Sequence, residues 1–192
     1  MTAISVLVLS AGACGGSLEF RGTAVDPPRP AAALVGTNWD GKPFSLEEVK
    51  GRVSLVFFGY TFCPDVCPFT LAKMKQVYGE LGGRAEDLAV IFVSVDGQRD
   101  SIEKLADYVP GFDPRFYGLR LEAEELESAL EGWELTVQIG QPKDGPGTDS
   151  YYYVDHTGTY FLLDREGQLR VTHPPNAQVE NLLPDIEALL AS

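Results

Sequence analysis

The chain has 192 residues, 44% of them hydrophobic and 22% charged, which is the composition of a soluble fold and the length of one globular domain with some tail. Its formal net charge of −13 argues against nucleic acid as a partner, because a surface that grips the phosphate backbone needs clustered Lys and Arg. The acidic surface reads as solvated, and charge balance alone identifies no protein partner.

At the amino end, residues 1–13 are apolar and small, with Ile4, Val6, Leu7, Val8 and Leu9, and lead to Cys14. The run is too short to span a bilayer as a helix. It suits a secretory signal whose apolar core precedes a small-residue cleavage site. It also resembles a bacterial lipoprotein signal, in which a Cys after a small-residue box becomes the lipidated first residue. Cys14 stands at that place, and the alternative is an ordinary cleaved signal with an incidental Cys. Residues 15–30 carry Gly15, Gly16, Pro27, Pro28 and Pro30 with neither period and read as a flexible tether. A tether of about 16 residues reaches on the order of 20 Å or more. The expected organisation is a signal segment over 1–13, an anchor and linker over 14–32, and one domain over 33–192.

Within that domain, residues 34–39 and 42–44 flank Asp40 and Gly41, a hairpin signal, and Ser45 to Glu48 has capping-box spacing. Residues 53–58 are an apolar run that reads as a buried strand. It ends at Gly59, delivers Cys63 and Cys67, and passes into a helix with apolar positions Leu71, Met74, Val77, Tyr78 and Leu81. Residues 88–95 form a second run of the kind buried on both faces in a parallel sheet. Asp100 to Glu103 caps a helix through about Val109, residues 116–119 suggest a short edge strand, and 122–131 a helix closed by Gly132. Residues 135–139 read as a strand and 140–150 as an exposed loop; 151–154, 160–163 and 169–172 are strand-like, with Asp164 to Gly167 turning between the last two. A closing helix carries Val179, Leu182, Leu183, Ile186, Leu189 and Leu190 on one stripe that continues past Pro184, where a kink is expected. Strands alternating with helices, then a hairpin and a helix, make an α/β fold with a mixed central sheet and helices on both faces.

Chemistry concentrates at Cys63 and Cys67. A site there lies beyond the carboxyl end of a strand and near a helix N-terminus, where unpaired amides favour a thiolate. Pro68, having no N–H, suits the first helical position, which puts Cys63 in the loop and Cys67 at the helix edge. A C-x-x-x-C pair can form a fixed disulfide staple, a redox couple, or two soft ligands on one metal, and spacing does not choose among them. Only two histidines are present. His173, before two prolines, reads as a loop histidine of no special role, and the reading of His156 depends on whether the fold brings it to the thiols.

Three segments together carry a resemblance: F-F-G-Y-T-F-C-P-D-V-C-P over residues 57–68, S-V-D-G-Q-R-D over 94–100, and Y-V-D-H-T over 153–157 followed by Y-F-L-L-D over 160–164. From Asn38 onward the chain resembles the Sco (SenC) family of thioredoxin-like copper proteins involved in assembling the copper A centre of cytochrome c oxidase. Gly97 and Gln98 depart from the family's usual Pro-Glu, away from any ligand position. The resemblance implies copper ligation by Cys63, Cys67 and His156, and a Cys63–Cys67 disulfide in the oxidised form. It implies Cu(I), with Cu(II) as a second state, and two thiolates plus one imidazole do suit low-coordinate Cu(I) better than Zn(II).

Two functions follow from the resemblance. The first is an extracytoplasmic, periplasmic copper chaperone, anchored to the membrane by its N-terminus, that takes copper from a donor and delivers it to cytochrome c oxidase subunit II. The second is a thiol–disulfide oxidoreductase, recharged by a thioredoxin-like reductant, that keeps the oxidase's copper-binding cysteines reduced. His156 separates them, because disulfide exchange needs no imidazole. A peroxiredoxin-like reading is weaker: residues 57–63 offer Thr61 but not the proline that such chemistry needs.

Overall fold

A computed structural model describes residues 19–141 and 152–192. Residues 1–18, with Cys14, and most of the expected 140–150 loop lie outside the described residues. The strands are β1 (Thr23–Pro30), β2 (Val35–Asn38), β3 (Pro43–Ser45), β4 (Val53–Gly59), β5 (Leu88–Ser94), β6 (Tyr117–Arg120), β7 (Val137–Ile139), β8 (Val154–His156), β9 (Tyr160–Leu163) and β10 (Gln168–His173). The helices are α1 (Val66–Leu81), α2 (Ile102–Tyr108), α3 (Ala123–Gly132) and α4 (Val179–Leu190). Among the described residues no helix is long and apolar enough to cross a membrane.

The main sheet has the order β1-β10-β9-β4-β5-β6-β2-β3, and β7 and β8 form a separate two-stranded ribbon. Strands β4, β5 and β6 run parallel, while β9 lies antiparallel against β4. Every residue of β4 and β5 is buried, as near-continuous apolar runs require when both faces are covered. Alternation along β4 divides the core in two. Val53, Leu55 and Phe57 pack with α1, α2 and α4 through Leu71, Met74, Leu105 and Leu182. Val56 and Phe58 turn to the other face, towards Leu34, Phe44, Ala129 and Trp133. This is the mixed α/β architecture expected.

Several local expectations hold by the mechanism proposed for them. The β2–β3 hairpin turns at Gly41, whose φ of 78° is open to glycine, and Glu47 N–H donates to Ser45 Oγ while Ser45 N–H donates to Glu48 Oε1. All five apolar positions expected on the first helix are buried. The last helix runs through Pro184.

Four expectations are corrected. The segment read as part of a flexible linker contains β1, which pairs antiparallel with β10 from Thr23↔Thr172 to Pro30↔Gln168 across a bulge. An outermost strand tolerates prolines because one row of its backbone groups has no ladder partner to lose. The domain therefore begins well before residue 33. Strand β6 is interior, between β5 and β2, and not an edge. Pro68 is the third residue of α1, which starts at Val66, so Cys67 sits inside the first turn. The first N–H groups of a helix have no internal acceptor, so a proline there costs little.

The fourth correction concerns His173, which is 3% exposed, with Nε2 2.9 Å from an Asp185 carboxylate oxygen that is itself 1% exposed as a residue. The same carboxylate accepts from the backbone N–H of Arg21 at 2.7 Å and Gly22 at 2.9 Å. A buried His–Asp pair thus ties the chain entering β1 to β10 and α4, where the sequence suggested an idle loop residue. Asp185→Ala is expected to lower stability by about 1–3 kcal/mol, because it strands the buried imidazole donor while the two amides can turn to water. A urea midpoint equal to the parent's would show that this tie does not hold the amino-terminal strand.

Candidate metal centre

Strand β4 ends at Gly59, where the chain must pass close under the first turn of α1. A Cβ at Gly59 would lie 2.6 Å from Cys67 Sγ and 2.7 Å from the Phe92 ring, so no side chain fits between the strand end and the thiol. The chain then turns, with Cys63 N–H donating to Tyr60 C=O at 3.2 Å. Thr61 fixes that turn from below: its N–H and its hydroxyl both donate to the buried Asp100 carboxylate, at 3.0 and 2.6 Å. Cys63 emerges half-buried at the surface, whereas Cys67 is 1% exposed in the first turn of α1. Both are free thiols.

The two sulfurs are not equivalent. A hydrogen bond from the Cys67 side chain is the main reason that the Cys63 thiol drops to about 5 from an ordinary 9. Partial burial opposes that shift, and the backbone N–H groups of Cys67 and Asp65 support it, as expected where a thiolate faces a helix N-terminus. Cys67 is pushed far up, first by donating to Cys63 and then by burial. The pair therefore holds one proton near neutrality, kept on the inner sulfur, and presents a thiolate outward.

His156 lies on β8, which pairs with β7 at Val137↔His156. Its ring meets that of Tyr60 edge-on, with centroids 6.0 Å apart, and it adds a smaller push to the lowering of the Cys63 pKa. Nδ1 lies 3.1 Å from the Thr157 carbonyl oxygen. A proton on Nδ1 makes that contact a hydrogen bond and leaves the Nε2 lone pair available to a metal. Among the described residues no three His, Cys, Asp or Glu side chains are gathered closely enough to hold a metal ion. The fold brings the imidazole alongside the pair, and it has to move inward for all three to share one ion.

An apolar rim surrounds the cysteines: Phe62, Val66 and Phe69 are exposed, the last at 65%. A concavity of about 520 Å³ is lined by Trp39, Arg52, Tyr78, Arg115 and Tyr117, near the start of β4 and away from the thiols. Concavity alone thus does not locate the chemistry. Sequence reasoning gave Asp100 only the cap of the following helix and Thr61 no role at the site; the cap is instead Ser101, whose hydroxyl accepts from Lys104 N–H, and Asp100 serves the cysteine turn, for which its place at the end of the S-V-D-G-Q-R-D segment was the available signal.

A parallel β4–β5–β6 core, an antiparallel β9–β10 hairpin beside it and a dithiol at a strand-to-helix junction define a thioredoxin-like protein with an asymmetric cysteine pair. The SCO1/SenC family model matches residues 30–191, and the chain belongs to that family. The human mitochondrial SCO1 homolog is 36% identical over 140 residues, covering 67% of this chain and 45% of its own length. The chain thus spans under half of that relative. Among solved structures, apo Sco1 of Thermus thermophilus is 36% identical with a TM-score of 0.78, covering 91% of this chain and 99% of that one. Copper-bound ScoI of Bradyrhizobium japonicum is 29% identical with a TM-score of 0.72, covering 83% and 99%.

Proposed function

We propose that this protein is a copper chaperone that carries one Cu(I) on Cys63, Cys67 and His156 and delivers it during assembly of the copper A centre in cytochrome c oxidase subunit II. The observation that carries the reading is the set of donors around the head of α1: a half-buried and a buried free thiol, and an imidazole packed on Tyr60 whose Nδ1 faces the Thr157 carbonyl. Two soft sulfurs and one nitrogen favour Cu(I) over harder ions. Copper here is cargo, taken from a donor and surrendered to an acceptor. Binding that includes an inward step of His156 holds the ion less tightly than a finished cage, which suits release. Cys14 is proposed as the lipid anchor that keeps the domain at the outer face of the membrane. Phe20 packs against the core and Asp185 binds the N–H groups of Arg21 and Gly22, so the tether ends by residue 19, well short of the linker expected from sequence.

Reduced protein is expected to bind one Cu(I), with Cys63→Ala and Cys67→Ala each losing most of the affinity and His156→Ala weakening it by about tenfold or more. Competition against a Cu(I) chelator measures this. Unchanged affinity in either cysteine variant would overturn the ligand assignment.

A second reading, thiol–disulfide exchange on the oxidase's copper-site cysteines, is favoured by the asymmetry of the pair. An exposed thiolate attacks a target disulfide and a buried thiol resolves the mixed disulfide, leaving a Cys63–Cys67 disulfide and two target thiols. Such a cycle needs a thioredoxin-like reductant to restore the dithiol. Retention of exchange activity in His156→Ala would separate this function from copper carriage.

A further inference from the structure

The S-V-D-G-Q-R-D segment follows β5 and faces both parts of the site. Its outer residues reach the cysteine turn: Ser94 Oγ donates to Asp100 Oδ2 at 2.6 Å, and the Asp100 carboxylate accepts both donors of Thr61. Its inner residues reach the segment that leads into β8. Asp96, wholly buried, accepts from Arg99 Nε at 2.5 Å and from the Tyr152 hydroxyl at 2.8 Å. Arg99 Nη1 donates to the Tyr152 carbonyl oxygen at 2.9 Å. The guanidinium lies over three rings, 3.4 Å from the Tyr152 centroid, 4.9 Å from Phe62 and 5.5 Å from Tyr60.

Arg99 therefore touches aromatic residues from both parts of the site: Tyr60 and Phe62 belong to the cysteine turn, and Tyr152 stands four residues before His156. A planar guanidinium can donate to a carboxylate and a carbonyl while its face stacks on a ring, which an ammonium cannot do. The face-on contact with Tyr152 adds a cation–π attraction that is strongest where water is excluded. Among the described residues, Arg99 Nη2 is a buried donor without a hydrogen-bond partner.

We infer that residues 94–100 form a two-armed clamp and that Arg99 is the positioning residue that holds the segment leading into β8, and so His156, beside the cysteine turn, within one inward step of Cys63 and Cys67. One arm, Ser94 and Asp100, fixes the cysteine turn. The other, Asp96 and Arg99, fixes Tyr152 and through it β8. The functional consequence of this inference rests on the three-ligand copper reading; the clamp itself is a property of the metal-free protein.

Arg99→Lys tests it, because lysine keeps the charge and loses the fork. Cu(I) affinity is expected to fall about 10–100-fold, the usual effect of removing an outer partner that orients a ligand. The ¹⁵N shift of His156 Nε2 that accompanies Cu(I) binding in the parent should disappear, although the two thiolates still bind the ion. The double variant Arg99→Lys/His156→Ala should bind no more weakly than His156→Ala alone, since both remove the same ligand. Additive losses, or an Nε2 shift retained in Arg99→Lys, would overturn the inference. Tyr152→Phe removes only the hydroxyl contact with Asp96 and should move both readouts the same way by less, which covers the case in which Arg99→Lys folds poorly. If His156→Ala leaves parental affinity unchanged, the three-ligand reading has failed, and the clamp is judged without metal. There Arg99→Lys must shift the His156 ring resonances and speed amide exchange in β8 while sparing β4, and unchanged spectra would refute it.

Discussion

Oxidation of Cys63 and Cys67 to a disulfide is expected to lower Cu(I) affinity by more than about a thousandfold, and full reduction to restore it. A disulfide sulfur has no charge to donate, and forming the bond removes both thiolates from the ligand set at once. Imidazole alone is left, and one nitrogen donor does not hold Cu(I) against a competing chelator. The geometry makes the switch local. Cys63 stands just before α1 and Cys67 in its first turn, so closing to a bond of about 2.05 Å is a change confined to this turn. Gly59, with no room for a Cβ, leaves the inner sulfur directly against the strand end. Titration of diamide-oxidised protein, before and after reduction, reads the effect. Equal Cu(I) affinity in the two states would show that the cysteines are not the ligands, and it would remove the link between redox state and copper carriage.

Such a switch would also decide between the two proposed activities at a given moment. The dithiol can load copper or reduce a disulfide, but the same two electrons and sulfurs cannot do both. Copper on the pair blocks nucleophilic attack by Cys63, and a disulfide blocks copper. Whichever acceptor the protein meets, the state of this pair sets which reaction is available.

The strand, the turn and the helix that carry the pair were legible because their signals are local. Residues 53–58 are apolar apart from Ser54, and Leu71, Met74, Val77, Tyr78 and Leu81 repeat at helical spacing; in the fold all of them are buried. His156 was legible only through resemblance. A single histidine between strand signals has no pattern of its own, and what brings it near Cys63 is the packing of β8 beside Tyr60. Strand β1 was missed for a related reason. Its prolines remove local strand signal, while the partner that makes it a strand, β10, lies over 130 residues away. The His173–Asp185 pair was invisible in the same way: Asp185 reads as the polar face of an amphipathic helix until β10 and the chain before β1 are packed over it. The 94–100 segment shows the intermediate case. Its residue types mark it as special, but the two directions in which it acts appear only once Thr61 and Tyr152 are placed on either side.

The unequal pair leads to a quantitative expectation for protons. With Cys63 held down to about 5 by the Cys67 hydrogen bond and Cys67 pushed up by the same bond and by burial, the metal-free pair carries one proton between pH 6 and 8. Copper binding as a dithiolate must displace that proton, so binding at pH 7 is expected to release about one proton from the thiols. Two independent cysteines with ordinary values near 9 would release about two. The sign follows directly: protons compete with copper, so affinity weakens as pH falls. The slope is about tenfold per pH unit from 8 to 6, where only Cys67 must be deprotonated. It steepens towards about a hundredfold per unit below pH 5, where Cys63 is protonated as well. The measurement belongs in the His156→Ala background, so that the imidazole adds no proton of its own. Calorimetric titration in buffers of different ionisation enthalpy gives the proton count, and chelator competition across the pH range gives the slope. A count of two at neutral pH would show that the sulfurs do not share a proton in solution, and the outward thiolate on which both proposed activities depend would lose its physical basis.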